Sequence, residues 1–158
     1  MAFTTFSKKE DEKVYSFKVS TFINSNPTTV FKAITDLRLL NLFFPMYSFE
    51  SDKESLEKVG QEYTAKIDSF IVEKYKIVKL TKNSLLSAKL ISDSKIFKHL
   101  AYVHKILPVK GGVVSKEVVE YSVRYGLLGK FLNFLIIAPL MKYHVKKAHK
   151  RLKRYCER

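Results

Sequence analysis

The sequence predicts an α+β domain: one antiparallel sheet of about seven strands, covered on one face by a long C-terminal helix. Three observations carry this prediction. Short runs of alternating apolar and polar residues fill about 80 positions after Pro45. The spacers between those runs are turn-sized, too short for parallel crossovers, so neighbouring strands pair antiparallel. Residues 128–158 carry a helical apolar stripe, and a sheet with one apolar face needs such a cover.

Residues 1–12 read as a solvated leader, small and then charged without period, and residues 13–158 as a single domain. From Lys13 to Ile23 the chain alternates, with Tyr15, Phe17, Val19, Thr21 and Ile23 on one face of a half-buried strand. Asn24-Ser25-Asn26-Pro27 then supplies a capping side chain and a first-turn proline, a helix start. Val30, Phe31, Ile34 and Leu37 follow at helical spacing. Asp36 recaps a second short helix bearing Leu39, Leu40, Phe43 and Phe44, and Pro45 stops it. The strands expected next are Met46–Asp52, Gln61–Ser69, Ile71–Leu80, Leu85–Ser92, Lys98–Val109 and Val113–Tyr125. Between them lie Gly60, Thr81-Lys82-Asn83-Ser84, Asp93-Ser94 and Lys110-Gly111-Gly112.

The final stretch joins two unlike halves at Pro139. Phe131, Leu132, Phe134, Leu135, Ile136, Ile137 and Ala138 are apolar nearly all round, and Leu127-Leu128-Gly129 precedes them as a flexible lead-in. Beyond the proline, Met141, Val145, Ala148, Leu152 and Tyr155 draw one narrow stripe, with lysines and arginines filling the rest of the arc. The stripe is expected to grip the sheet while the cations stay in water. Pro139 removes a backbone hydrogen bond and is expected to kink or restart the helix. An all-round apolar segment laid over a concave sheet is more than a two-layer core requires, so it is expected to act as lid and inner wall of a cavity.

Composition narrows the function. Hydrophobic residues make up 46% of the 158, too many for disorder despite a formal net charge of +14. The excess is mostly lysine, 24 Lys to 5 Arg, whereas bidentate phosphate recognition favours arginine. Such a charge still attracts anionic surfaces, and Lys146, Lys147, Lys150, Arg151 and Arg154 are the residues expected to meet an anionic membrane. The uncharged run of this final stretch, Phe131 to Met141, has 11 residues, short of a bilayer span. The single cysteine, Cys156, forms no internal disulfide. The start MAFTTFSKKEDEK shows neither a signal-peptide core nor a glycine at position 2, so a cytoplasmic protein, peripheral to the membrane at most, is expected.

Two segments resemble a known family. INSNPTTVFKAITDLRLLNLFFP resembles the strand-to-helix signature of the START-like, helix-grip (SRPBCC) superfamily, carried here by Ile23, Pro27, Val30, Phe31, Asp36, Leu42 and Pro45. IFKHLAYVHKILPVKGGVVSKEVVEYSVRYGLLGKFL resembles its last two strands, with Pro108 and Gly112 at the turn and a leucine–glycine step into the final helix. The nearest groups are the polyketide cyclase/dehydrase and coenzyme Q-binding ones. Their frequent tryptophan in the penultimate strand is absent, Tyr102 and His104 standing there instead, and Val113 replaces the threonine after the turn glycine. The resemblance implies a helix-grip fold in the order β-α-α-β6-α. It also implies a cavity between sheet and helix for a lipid, isoprenoid, quinone or polyketide-like molecule; because the sequence shows no catalytic constellation, a carrier or sensor without catalysis is expected. The residues expected to line that cavity are Phe31, Leu40, Phe44, Tyr63, Ile67, Tyr75, Tyr102, His104, Val119, Tyr121, Phe131, Leu132, Leu135 and Ile136.

A cyclase- or dehydrase-type enzyme is the alternative, with Glu73, His104 and Glu117 as its candidate acid–base groups. Each also has a plainer reading: the carboxylates near strand ends reach water or a cation, and the histidine is a hydrogen-bonded wall residue. No cofactor is expected, because no phosphate-binding glycine loop, nucleophile elbow or HExxH motif occurs. No metal is expected either. His99 and His104 fall on opposite strand faces, and His144 and His149 diverge by about 140° on a helix. No aromatic RNA-binding strand or zinc finger supports a specific nucleic-acid partner.

Overall fold

The computed structural model of the protein describes residues 13–67 and 70–158. The expected leader, and the Asp68-Ser69 end of one expected strand, lie outside the described residues. Strand β1 (Tyr15–Ile23) leads into helix α1 (Pro27–Thr35) and helix α2 (Leu37–Phe43). The expected caps form: Asn26 Oδ1 accepts the Thr29 N–H at 2.9 Å, and Asp36 Oδ1 accepts the Arg38 N–H at 2.9 Å. Six strands follow, β2 (Tyr47–Glu50), β3 (Glu62–Ile67), β4 (Ile71–Thr81), β5 (Leu85–Leu90), β6 (Phe97–Val109) and β7 (Gly112–Val123). They form one antiparallel seven-stranded sheet in the order β1-β7-β6-β5-β4-β3-β2. Strand β2 is shorter than expected, an edge that pairs with β3 over Tyr47–Glu50 alone.

The chain closes with α3 (Gly126–Leu132), a π-helical turn (Asn133–Ile137) and α4 (Ala138–Cys156). The sheet curls around α4, giving the helix-grip architecture. Val145, Ala148, Leu152 and Cys156 face inward from α4, meeting Val30, Ala33 and Ile34 of α1 and the inner sheet residues in one core. Polar ties hold the helix in place. Arg151 Nη1 donates to the Phe43 carbonyl, and Lys153 Nζ to that of Phe22, each at 2.8 Å. So two of the cations expected to lie free in water are helix clamps. Tyr155, expected to grip the sheet, is instead 42% exposed and lies edge-on against Phe43.

Pro139 does not break the helix. The wide turn just before it absorbs the missing donor, with the Ala138 N–H reaching back five residues to the Asn133 carbonyl. The larger correction concerns what this stretch covers. Leu127, Leu128, Phe131, Phe134, Leu135 and Ile136 are all more than half exposed, so the apolar half of the helix is not the cavity lid. Its inward seam is Gly129 and Asn133. Gly129 backs onto the end of β7 so closely that a Cβ would stand 1.7 Å from the Arg124 carbonyl oxygen. Asn133 Oδ1 accepts the buried Tyr121 hydroxyl at 2.8 Å. With small and polar residues turned inward, the bulky ones turn out.

Candidate functional site

Between α4 and the sheet lies a cavity of about 140 Å³. Its floor is built by strand alternation: Tyr63 and Ala65 of β3, Tyr75 of β4, Leu86 of β5, Leu100, Tyr102 and His104 of β6, and Glu117 and Val119 of β7 all project inward. Its roof is Met141, Val145, Ala148, His149 and Leu152 of α4, one face at spacings of three and four. Leu40, Phe44, Tyr47, Phe49 and Met141 are partly exposed and form the rim near α2 and β2. Rings line much of the wall: Tyr63 and Tyr75 stack at 5.4 Å, and Tyr47 and Phe49 at 5.6 Å. Its volume is close to that of an apolar protein cavity holding a single benzene ring, about 150 Å³.

The polar groups are few and bonded chiefly to one another. The Tyr63 and Tyr102 hydroxyls share a 2.6 Å hydrogen bond. Burial raises the Tyr63 phenol well above its ordinary range, and Tyr102 is raised too, so both stay protonated. His104 and Glu117 are cross-strand partners, with His104 Nδ1 3.7 Å from Glu117 Oε2. His149 Nε2 donates to the same carboxylate oxygen at 3.1 Å from the roof. On the other side of its ring, His104 Nε2 is hydrogen-bonded to Ser115 Oγ at 2.6 Å. Burial pushes His104 down to about 4. Burial also pushes Glu117 up, but the His149 hydrogen bond and the two imidazoles prevail and hold it below its ordinary value. Near neutral pH the site therefore holds a carboxylate and a neutral His104, inside an apolar chamber.

The structure brings together Leu40, Phe44, Tyr63, Tyr75, Tyr102, His104 and Val119 of the sequence-expected lining, with Glu117 among them. It does not bring in the rest. Phe31 faces a separate crevice with Leu56 and Leu80, and Ile67 is half-buried at the end of β3. Tyr121 is a core residue against Tyr15, Phe17 and Phe97. Phe131, Leu132, Leu135 and Ile136 lie on the helix before the roof begins. Glu73 is a corrected candidate. It neither reaches water nor meets a lysine or arginine, but is 4% exposed and takes hydrogen bonds from Tyr75 at 2.8 Å and Ser94 at 2.6 Å. That satisfied carboxylate lies outside the cavity lining. Glu117 likewise pairs with imidazoles rather than with water or a lysine.

Sequence reasoning missed His149 and, with it, the one cluster of its kind among the described residues. The expectation of no metal rested on spacings within single elements. Across three elements His104, Glu117 and His149 place one donor atom each within 4.8 Å of one another, all buried. Two imidazole nitrogens and a carboxylate oxygen form a donor set that divalent transition ions accept. Of these atoms, His149 Nε2 and Glu117 Oε2 are joined by the 3.1 Å hydrogen bond, while His104 Nδ1 stands 3.7 Å from the same oxygen.

No protein-family model matches the chain, and no curated protein matches it in sequence. Solved structures do match in shape. The chain is similar to Ara h 8.0201, with a TM-score of 0.69 at 15% identity over 91% of this chain and 98% of that one. It is similar to the Zhui aromatase/cyclase from a Streptomyces species, at 0.73 and 11% over 92% and 95%. It is also similar to norcoclaurine synthase from Thalictrum flavum, solved with dopamine and hydroxybenzaldehyde, at 0.67 and 11% over 91% and 87%. At these identities the likeness is one of fold.

Proposed function

On this START-like helix-grip fold, we propose that the chain binds an apolar small molecule in the chamber between α4 and the sheet, as a carrier or sensor. The observation that carries the reading is the chamber itself: a preformed space walled by aromatic and aliphatic side chains, with few polar groups among them. Its volume of about 140 Å³ suits a ring-sized moiety, and a longer lipid, isoprenoid or polyketide would extend past the partly exposed rim. The Tyr63–Tyr102 hydroxyl pair and the His104–Glu117–His149 group would orient a carbonyl or hydroxyl on an otherwise apolar ligand. Native mass spectrometry of protein purified from cells tests this. A co-purifying apolar molecule is expected, and its absence together with indifference to a panel of aromatic and isoprenoid compounds would count against the reading.

One observation favours a second reading, a cyclase- or dehydrase-type enzyme. A buried carboxylate between two imidazoles, facing an apolar chamber, is chemically equipped to move a proton on a bound substrate. Two of the similar structures, the aromatase/cyclase and norcoclaurine synthase, are named as enzymes. Glu117→Gln keeps the shape of the site and removes its charge. Under this reading the variant still binds but no longer converts its ligand; under the carrier reading the bound molecule is recovered unchanged from wild type and variant alike.

A further inference from the structure

The exposed half of the C-terminal helix has a function of its own to explain. Leu127, Leu128, Phe131, Phe134 and Leu135 recur at helical spacing on the side away from Gly129 and Asn133, and Leu127 and Phe134 are 83% and 76% exposed. Leu140 and Tyr143 continue the apolar surface past Pro139. A contiguous patch of this kind marks an interaction surface.

The charges around the patch say what covers it. Lys130 and Lys142 border it, and a groove between β1 and α4 follows directly along the helix. That groove is lined by Lys18, Lys146, Lys147, Lys150, Arg151 and Arg154, without a single carboxylate. A second copy of the chain is a poor occupant, because two bodies of formal charge +14 would meet with their most basic regions adjacent. An anionic lipid surface meets both halves at once: acyl chains take the leucines and phenylalanines, and phosphates take the cations.

We propose that α3, the π-helical turn and the first turns of α4 form a membrane-docking face, inserted into the interface of an anionic bilayer with the basic groove against the headgroups. The helical run 126–156 is long and apolar enough, by length and composition, to cross a membrane, in contrast to the sequence expectation drawn from its longest uncharged run. The surface-parallel arrangement is favoured because the opposite side of that helix is committed to the protein, through Gly129, Asn133 and the chamber roof.

The chain has no tryptophan, so a Phe134→Trp reporter is read against a clear background. With vesicles of phosphatidylcholine plus roughly 30% phosphatidylserine at about 150 mM salt, the 158-residue chain should co-sediment and the reporter emission should shift to the blue. Phosphatidylcholine alone should bind far less. Phe131→Glu/Phe134→Glu and Lys146→Ala/Lys147→Ala/Lys150→Ala, each checked for folding by circular dichroism, should each weaken binding by about tenfold or more. No binding by the wild type would overturn the proposal. So would undiminished binding by the Phe131→Glu/Phe134→Glu protein, which would reduce the attraction to charge alone. Self-association without vesicles that Phe134→Glu abolishes would assign the face to a second copy instead.

Discussion

His104 has its ring nitrogens committed to its surroundings: Nε2 to Ser115, and Nδ1 facing the Glu117 carboxylate at 3.7 Å. Burial lowers its pKa from 6.5 to about 4. The unfolded chain therefore binds a proton near pH 6.5 that the folded chain refuses, and stability conferred by this group is complete above that pH and declines toward about pH 4. The full span amounts to on the order of 3 kcal/mol. Urea unfolding should show wild-type stability falling through that window, with His104→Gln flattening its upper part, where Glu117 does not yet titrate. Parallel curves for the two proteins would contradict this. His104 and Glu117 were both visible in the sequence as polar residues on apolar strand faces. His149 was not, because its partner is 32 positions away and its own helix gives no hint of it beyond one polar residue beside the Val145–Leu152 stripe. Long-range convergence is what a period cannot report.

At the scale of elements, local rules placed nearly every boundary. Asn26, Pro27 and Asp36 start the short helices, and Asn83 and Gly111, at φ 61° and 82°, turn the β4–β5 and β6–β7 hairpins. What the sequence obscured was the facing of α3. Its leucines and phenylalanines are apolar on every side, so no stripe singled out an inward direction, and the choice fell to Gly129 and Asn133. Gly129 makes that choice testable. Alanine is favoured over glycine within a helix by about 1 kcal/mol, yet here its methyl would collide with the Arg124 carbonyl. Gly129→Ala should therefore destabilise the protein, by about 2 kcal/mol in urea unfolding, as α3 is pushed off the end of β7. Equal or greater stability would mean that α3 is not held against that strand.

For the molecule as a whole, charge and cavity belong to different surfaces of one helix. The roof of the chamber is α4's inner side, while the exposed apolar patch lies outward around its start and the basic groove runs between β1 and the rest of α4. Assigning the apolar half of the helix to the cavity, as its composition invited, merged two surfaces that the π-helical turn and the inward Asn133 keep apart. A carrier of this form would load its ligand inside the sheet and meet the bilayer with the opposite side of the same element. The central claim is that the chamber is where the ligand sits. Ala148, 3% exposed in the roof, tests it, since Ala148→Phe adds a ring to that space without adding charge. The decisive measurement compares thermal midpoints of wild type and Ala148→Phe against neutral aromatic and isoprenoid compounds. Binding in the chamber predicts that at least one compound raises the wild-type midpoint and leaves the folded variant unmoved. Equal shifts in both proteins would place binding elsewhere and contradict the account.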